Sequence, residues 1–463
     1  MLIPPLPPDH VRVLIECNRH DYLVNLALER LGEASRSSPT FEEYLQSSFG
    51  KLDWMHLDER FAIPLELHPK DSKRFLVRGS MEANKIRAVI SDERGGEPAR
   101  IFSDPIVGAY RMEGLNRPIG DTARVRQRLR TEALWREGFD GSGVAIAIVD
   151  SGIYLPRLTE QLGFEPSFDR DLSWKPDSVV TQPGEHRLGH GTMCAYDALI
   201  VAPKATLIDI PMLISRTTGD HRVNATLSAA AEAYQHLIQK WVVGPRPNYK
   251  RLVVSNSWGI FNPSLDDFAP GHTGRYIDNL DHAFRTQIKR LCEANVDIVF
   301  CGSNCGPECT SAACLSQTDG MIMGANAYPE VLTVGGCDTD NDVIGYSSRG
   351  PARTMFSRNE VHQEADLKQK PDISAYTHFL GSKTQRNYLP DTGVSAACPV
   401  AAGCIAALRT KALPEATRPD ALFSIIKQTA RGNKSGPGGT WNGDFGHGII
   451  DPVEAARRLG LIQ

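Results

Sequence analysis

Residues 143–153 read GVAIAIVDSGI, and the architecture of the chain turns on them. Six apolar residues, Val144 to Val149, stand without polar interruption between Gly143 and Asp150. The run is short, bounded by glycines and rich in β-branched side chains, as a strand buried on both faces of a parallel sheet should be. Asp150 then stands at the carboxyl edge of that sheet, where chemistry collects in α/β folds. Working outward, similar runs recur at ATLIDIPML (205–213), RLVVSNSWG (251–259), VDIVFCGSN (296–304) and VLTVGG (331–336). Helical spacing of apolar residues marks 223–242 and 276–296. Strands alternating with helices predict an α/β unit over 143–463, with a parallel sheet covered by helices on both faces.

The chain before this point has a different rhythm. VRVLIEC (11–17) alternates like a strand, and DYLVNLALERL (21–31) has helical spacing. FAIPLEL (61–67) and RFLVRGS (74–80) read as strands, 81–95 as a helix and ARIFSDPIV (99–107) as a last strand. The order β-α-β-β-α-β predicts a small α+β domain over 1–112. A charged segment over 113–142 then links it to the larger unit.

Composition narrows the partners. In 463 residues the net charge is −4 and no basic block stands out, which argues against nucleic acid. No apolar run reaches membrane-spanning length, and the first residues lack a basic segment followed by a long apolar one. The default expectation is a cytoplasmic protein, with leaderless export as the alternative. Four of the ten cysteines, Cys301, Cys305, Cys309 and Cys314, crowd one stretch. Their spacing departs from paired C-x-x-C, which weakens a zinc reading. Reduced buried thiols, disulfides and a redox-sensitive loop stay open.

Three residues could act together. Asp150 ends a buried strand, His190 lies in GHGTMCAYDAL (189–199), and Ser395 lies in GVSAACPVAAG (393–403). A serine hydroxyl attacks a carbonyl only when an imidazole takes its proton, and the imidazole needs a carboxylate to fix its tautomer. The order Asp, His, Ser is one known solution. With these motifs, and with YSSRGP (346–351) and KPDISA (370–375), the chain over about 140–455 resembles the subtilisin-like serine proteases, the subtilase family (peptidase family S8). It departs from the family pattern at Met193, Cys194, Val394, Ala396 and Cys398, changes that keep side chains small or similar and are expected to touch packing more than chemistry.

The resemblance implies a subtilisin-like fold and a serine endopeptidase in which Asp150, His190 and Ser395 form the triad. Asn304 then matches the oxyanion asparagine. Ser257 and Gly259 would flank the pocket for the residue before the scissile bond, with Trp258 pointing away or lining a neighbouring subsite. Gly302 would join them in substrate binding. Ser395 is expected in the first turn of a helix, its small neighbours admitting substrate and close packing, with Pro399 within that first turn or so. The N-terminal part resembles the inhibitory (I9) propeptide of such enzymes, implying an autoinhibited precursor whose segment Val107–Met112 lies in the cleft. No cofactor is required. Calcium is common in the family, but DTDND (338–342) matches no ligand pattern and reads as a solvated acidic turn. Rival readings are a catalytically silent binding protein on this fold and a serine hydrolase of esters or non-protein amides.

Overall fold

The computed structural model describes residues 3, 5–30, 32–33, 39–49, 54–86, 100–109, 117–216, 223–244, 249, 251–309, 314, 320–358, 369–384, 389–432 and 436–463. The N-terminal sheet is antiparallel. Its strands β1 (His10–Asn18), β2 (Met55–Pro64), β3 (Arg74–Glu82) and β4 (Arg100–Ser103) stand in the order β2-β3-β1-β4. Alternation along β1 divides its side chains between two cores. Val11, Val13, Ile15 and Cys17 meet Leu23, Ala27 and Tyr44 from helices Asp21–Glu29 and Phe41–Ser48. Leu14 points the other way, with Phe61, Ile63, Leu76 and Phe102, into the main core of the molecule.

Two expectations for this part need correction. The helix predicted over 81–95 does not begin at 81. Met81 and Glu82 finish β3 opposite Val11 and His10, and the short turn Ala83–Lys85 follows; positions 87–99 lie outside the described residues. The single strand predicted over 99–107 is two strands. β4 pairs with β1, whereas β5 (Ile106–Ala109) belongs to another sheet. Pro105 separates them because it has no N–H to give to a ladder.

The large sheet comes next. β6 (Val144–Asp150) and β7 (Thr206–Pro211) are followed by the short β8 (Ser215–Arg216) and β9 (Val223–Thr226). Then come β10 (Arg251–Asn256), β11 (Asp297–Cys301), β12 (Leu332–Cys337) and β13 (Ile373–Tyr376). Six of these form an all-parallel sheet in the order β13-β12-β11-β10-β6-β7. Along β6, Ala145, Ala147 and Val149 face one core and Val144, Ile146 and Ile148 the other, which is why the run is apolar throughout. The strand order reverses beside β6, with β7 on one flank and β10 on the other. The crevice at such a reversal opens at the carboxyl ends, beside Asp150. In the segment before β6, Val125, Leu129, Leu134 and Phe139 are buried in the second of these cores.

Two predicted helices are shorter than their periodicity suggested. Residues 223–226 form β9, paired with β5, and the helix proper is Leu227–Ile238. Val223 and Ala225 are buried while Asn224 and Thr226 are half-buried, a strand alternation hidden inside an apparent helix. Within 276–296 only Ala283–Glu293 is helical; Tyr276 and Ile277 instead give their N–H groups to the Asp266 carboxylate.

Helix Val394–Arg409 is buried at every residue. Its small side chains permit a close crossing of helix His190–Leu199: a Cβ on Gly403 would stand 2.2 Å from the Ala198 carbonyl oxygen. The far end is fixed by a fully buried ion pair, Arg409 to Asp297, with both contacts at 2.6 Å. Among the described residues no helix is long and apolar enough to cross a membrane.

Candidate active site

Asp150 is fully buried at the end of β6. Its Oδ1 accepts the Ser151 N–H at 2.6 Å and lies 2.8 Å from His190 Nδ1. An ionised carboxylate only accepts hydrogen bonds, so Nδ1 carries the proton and Nε2 keeps its lone pair. His190 opens helix His190–Leu199 and is 9% exposed. Among the described residues its Nε2 has no hydrogen-bond partner.

Ser395 is the second residue of helix Val394–Arg409, and its Oγ donates to the Ser257 carbonyl at 3.4 Å. The cluster closes around one thiol. Cys194 Sγ lies 3.7 Å from Asp150 Oδ2, 3.9 Å from His190 Nδ1 and 3.5 Å from the Ser395 carbonyl oxygen. Burial and the Asp150 charge push this thiol well above its ordinary range, so it stays protonated. A change expected to affect packing more than chemistry thus puts sulfur against the carboxylate. Helical spacing from His190 could have flagged it, because position i+4 shares the face of position i.

Pro399 is the sixth residue of its helix, in the second turn and not the first. An ordinary residue there would give its N–H to the Ser395 carbonyl. In its place the Ser257 hydroxyl donates to that oxygen at 2.9 Å, alongside the Cys194 thiol. Donors from β10's extension and from the histidine helix satisfy it, which is how an interior proline is tolerated.

Asn304 follows β11. Its Oδ1 accepts the Val394 N–H at 2.8 Å, which fixes the amide's orientation, and its buried Nδ2 has no partner among the described residues. Ser395 N–H lies in the first helical turn, where no intrahelical acceptor exists. A Cβ on Gly393 would stand 2.9 Å from Asn304 Nδ2 and 3.4 Å from Ser395 N, so both donors lie close to that glycine. The motif at 346–351 braces this corner, whereas that at 370–375 ties the amino end of β12, where Thr333 N–H donates to Asp372. Tyr346 Oη accepts the Gly393 N–H at 3.1 Å, Ser348 Oγ accepts the Cys305 N–H at 2.9 Å, and Lys370 Nζ pairs with Asp372 at 2.5 Å.

The expected substrate-binding residues have separate fates. Gly259 presents a main-chain edge, and that edge is already paired: Gly108 N–H donates to its carbonyl at 2.9 Å and Gly259 N–H returns a bond at 3.0 Å. β5 is therefore sandwiched between β9 and Gly259, so the chain's own residues 106–109 occupy this edge. A Cβ on Gly108 would stand 2.4 Å from Asn224 Oδ1 and 2.7 Å from the Val223 carbonyl oxygen, so only glycine lets the strands approach this closely. Ser257 faces helix Val394–Arg409. The Trp258 side chain points away, fully buried against Phe300 with its Nε1–H on Asn256; of its two expected orientations this is the core one. Gly302 N–H bonds the Val334 carbonyl in the sheet at 2.8 Å.

Sequence reasoning missed the anchor of β5. Asp104 is buried, and its carboxyl accepts the N–H and hydroxyl of Ser228 at 2.6 and 2.8 Å, at the start of helix Leu227–Ile238. Burial pushes it up to about 6 from an ordinary 3.8. Two groups of described side chains bring potential metal-ligand atoms together: Asp150, His190 and Cys194, and Cys305, Cys309 and Cys314. Asp338 in the acidic turn spends its Oδ1 on the N–H groups of Asp340 and Asp342.

A parallel α/β sheet with a carboxylate, an imidazole and a hydroxyl gathered at its switch point, in that chain order, defines the class of serine hydrolases of subtilisin type. Sequence comparison agrees: a family model described as the subtilase family matches residues 141–448, and the chain belongs to that family. Similar proteins include Furin-1 of Xenopus laevis, 23% identical over 421 residues that cover 86% of this chain and 47% of that protein. The serine protease AprX of Bacillus subtilis is 27% identical over 322 residues, 62% of this chain and 61% of its own. Subtilisin-like protease SBT6.1 of Arabidopsis thaliana is 25% identical over 307 residues, 66% of this chain and 25% of its own. The chain thus spans less than two thirds of the length of each of these relatives.

Proposed function

We propose that the protein is a serine endopeptidase made as an autoinhibited precursor. Asp150 orients His190, His190 Nε2 takes the Ser395 Oγ proton as the hydroxyl attacks a peptide carbonyl, and the same nitrogen returns that proton to the leaving amine. Asn304 Nδ2–H and Ser395 N–H receive the oxyanion of the tetrahedral intermediate. Water then repeats the sequence on the acyl-enzyme. No step calls on a cofactor. The observation that carries this reading is the 2.8 Å Asp150–His190 contact, which leaves a bare Nε2 in the same buried cluster as Ser395.

The substrate edge supports peptide over a simple ester. A main-chain strand on Gly259 is a general way to hold an extended peptide, and β5 uses it in that manner. On this reading residues 1–112 are the inhibitor, β5 is a substrate mimic, and maturation cuts the chain just beyond Ala109. A fluorophosphonate probe should label the self-processed protein at Ser395 after dilution, and Ser395→Ala should abolish labelling. Casein should be cleaved in preference to small esters. Mass spectrometry should find a new amino terminus between residues 110 and 113, missing in Ser395→Ala. Ester turnover without casein cleavage would replace the peptidase reading by that of a general serine hydrolase.

A further inference from the structure

The cysteine-rich stretch after Asn304 takes no part in the reaction above, yet it adjoins one of its groups. Cys305 and Cys314 form a disulfide. Cys309 Sγ lies 2.9 Å from Cys314 Sγ, and all three sulfur atoms fall within 4.8 Å of one another. Burial separates their roles: Cys305 is fully buried, Cys314 is 6% exposed and Cys309 is partly open to solvent. A thiol reagent in solution therefore meets Cys309 first. The disulfide also touches the site. Cys305 is the residue after Asn304, and Cys314 Sγ lies 3.7 Å from the Asn304 carbonyl oxygen.

We propose that Cys309, Cys314 and Cys305 form a thiol–disulfide exchange relay that sets how firmly Asn304 is held. This rests on the reading of Asn304 as an oxyanion donor. In the exchange, the Cys309 thiol loses its proton to solvent and its thiolate attacks Cys314 Sγ. The Cys309–Cys314 bond forms, the Cys305–Cys314 bond breaks, and Cys305 leaves as a thiolate that takes up a proton. Electrons balance within the three sulfurs, so the isomerisation needs no oxidant. Complete opening takes two electrons from a small-molecule thiol such as glutathione, which becomes its own disulfide, and closure reverses this. With Cys305 released, the residue next to Asn304 loses its covalent tie. An oxyanion donor acts in the transition state, so the cost falls on kcat and not on KM.

The experiment uses the full-length chain, processed where it processes itself, in glutathione buffers of graded ratio. Samples are quenched with N-ethylmaleimide, mapped by non-reducing peptide mass spectrometry and assayed on a short peptide substrate. The expected map shows Cys305–Cys314 together with a Cys309–Cys314 isomer in a ratio that does not change with the glutathione ratio, both giving way to three alkylated cysteines as reduction proceeds. Opening the relay should lower kcat about tenfold with KM within twofold. Cys309→Ser should keep kcat within twofold and slow reduction of Cys305–Cys314 at least tenfold. Equal reduction rates in wild type and Cys309→Ser overturn the relay, as does zinc retained by three protected thiols in the purified protein. If Asn304→Ala leaves kcat unchanged, the oxyanion reading fails, while the disulfide map still judges the relay.

Discussion

The two sheets of this molecule bury their strands in opposite ways. The six-stranded parallel sheet is covered on both faces by cores of the same body, and β6 carries no polar residue before Asp150. The N-terminal antiparallel sheet keeps one face for its own small core and lends the other, through Leu14, Phe61, Leu76 and Phe102, to the large body. The first sheet cannot be parted from its layers without unfolding. The second has a core made of its own residues apart from Phe268 of the large body, and Ser103 N–H bonds the Gly274 carbonyl across the seam. The ion pairs at that seam, Arg30 and Arg78 with Glu232, are partly solvated and weak. On the proposed reading the first scaffold holds the chemistry and the second holds the strand paired with Gly259.

That contrast can be broken at graded cost. The largest effect is chemical: Ser395→Ala should lower peptide turnover by roughly 10⁴–10⁶-fold, read by steady-state kinetics, with both sheets intact by circular dichroism. Next is the rigid body. Arg409→Ala leaves Asp297 buried and uncompensated, so unfolding in urea should show a loss of about 3–5 kcal/mol, whereas Arg78→Ala at the seam should cost about 1 kcal/mol or less. Equal losses would erase the distinction between the two regions. Asn304→Ala should reduce kcat by about 10²–10³-fold with KM little changed. Gly108→Val should push β5 off β9 and Gly259, and in the Ser395→Ala background raise hydrogen exchange at 106–109 about tenfold or more without lowering the stability of the parallel sheet.

The smallest effect is a pH dependence. Docked Asp104 titrates at about 6 against an ordinary 3.8. The docked state therefore holds a proton that the released segment gives up. Docking is strongest below about pH 4, and its extra stability is lost as pH rises through about 6. Hydrogen exchange at 106–109 in Ser395→Ala should be slower at about pH 4.5 than at about pH 7, after correction for intrinsic rates, by roughly tenfold. Asp104→Asn should flatten the difference.

The parallel sheet was legible because a strand buried twice over needs an unbroken apolar run, and Asp150, His190, Ser395 and Asn304 all stand where such elements begin or end. The seam was harder to see. β9 hides within an amphipathic pattern because Val223 and Ala225 fit both a strand and the start of a helix, and only β5 decides between them. Pro105 splits β4 from β5 by denying one hydrogen bond, a local event inside an otherwise strand-like run. Cysteine pairing was open in principle, since four cysteines allow three connectivities, and burial rather than spacing separates Cys305 and Cys314 from Cys309. Cys194 looked like a packing change until its sulfur was seen against Asp150.

Only Asp104 and Pro105 separate β4 from β5. A cut beyond Ala109 would leave the covering strand attached to a folded raft that grips the large body elsewhere. The two grips then reinforce each other, each keeping the other at high local concentration. Severing the backbone would change connectivity without changing occupancy, and free sites would appear only on dilution or after a second break within the raft.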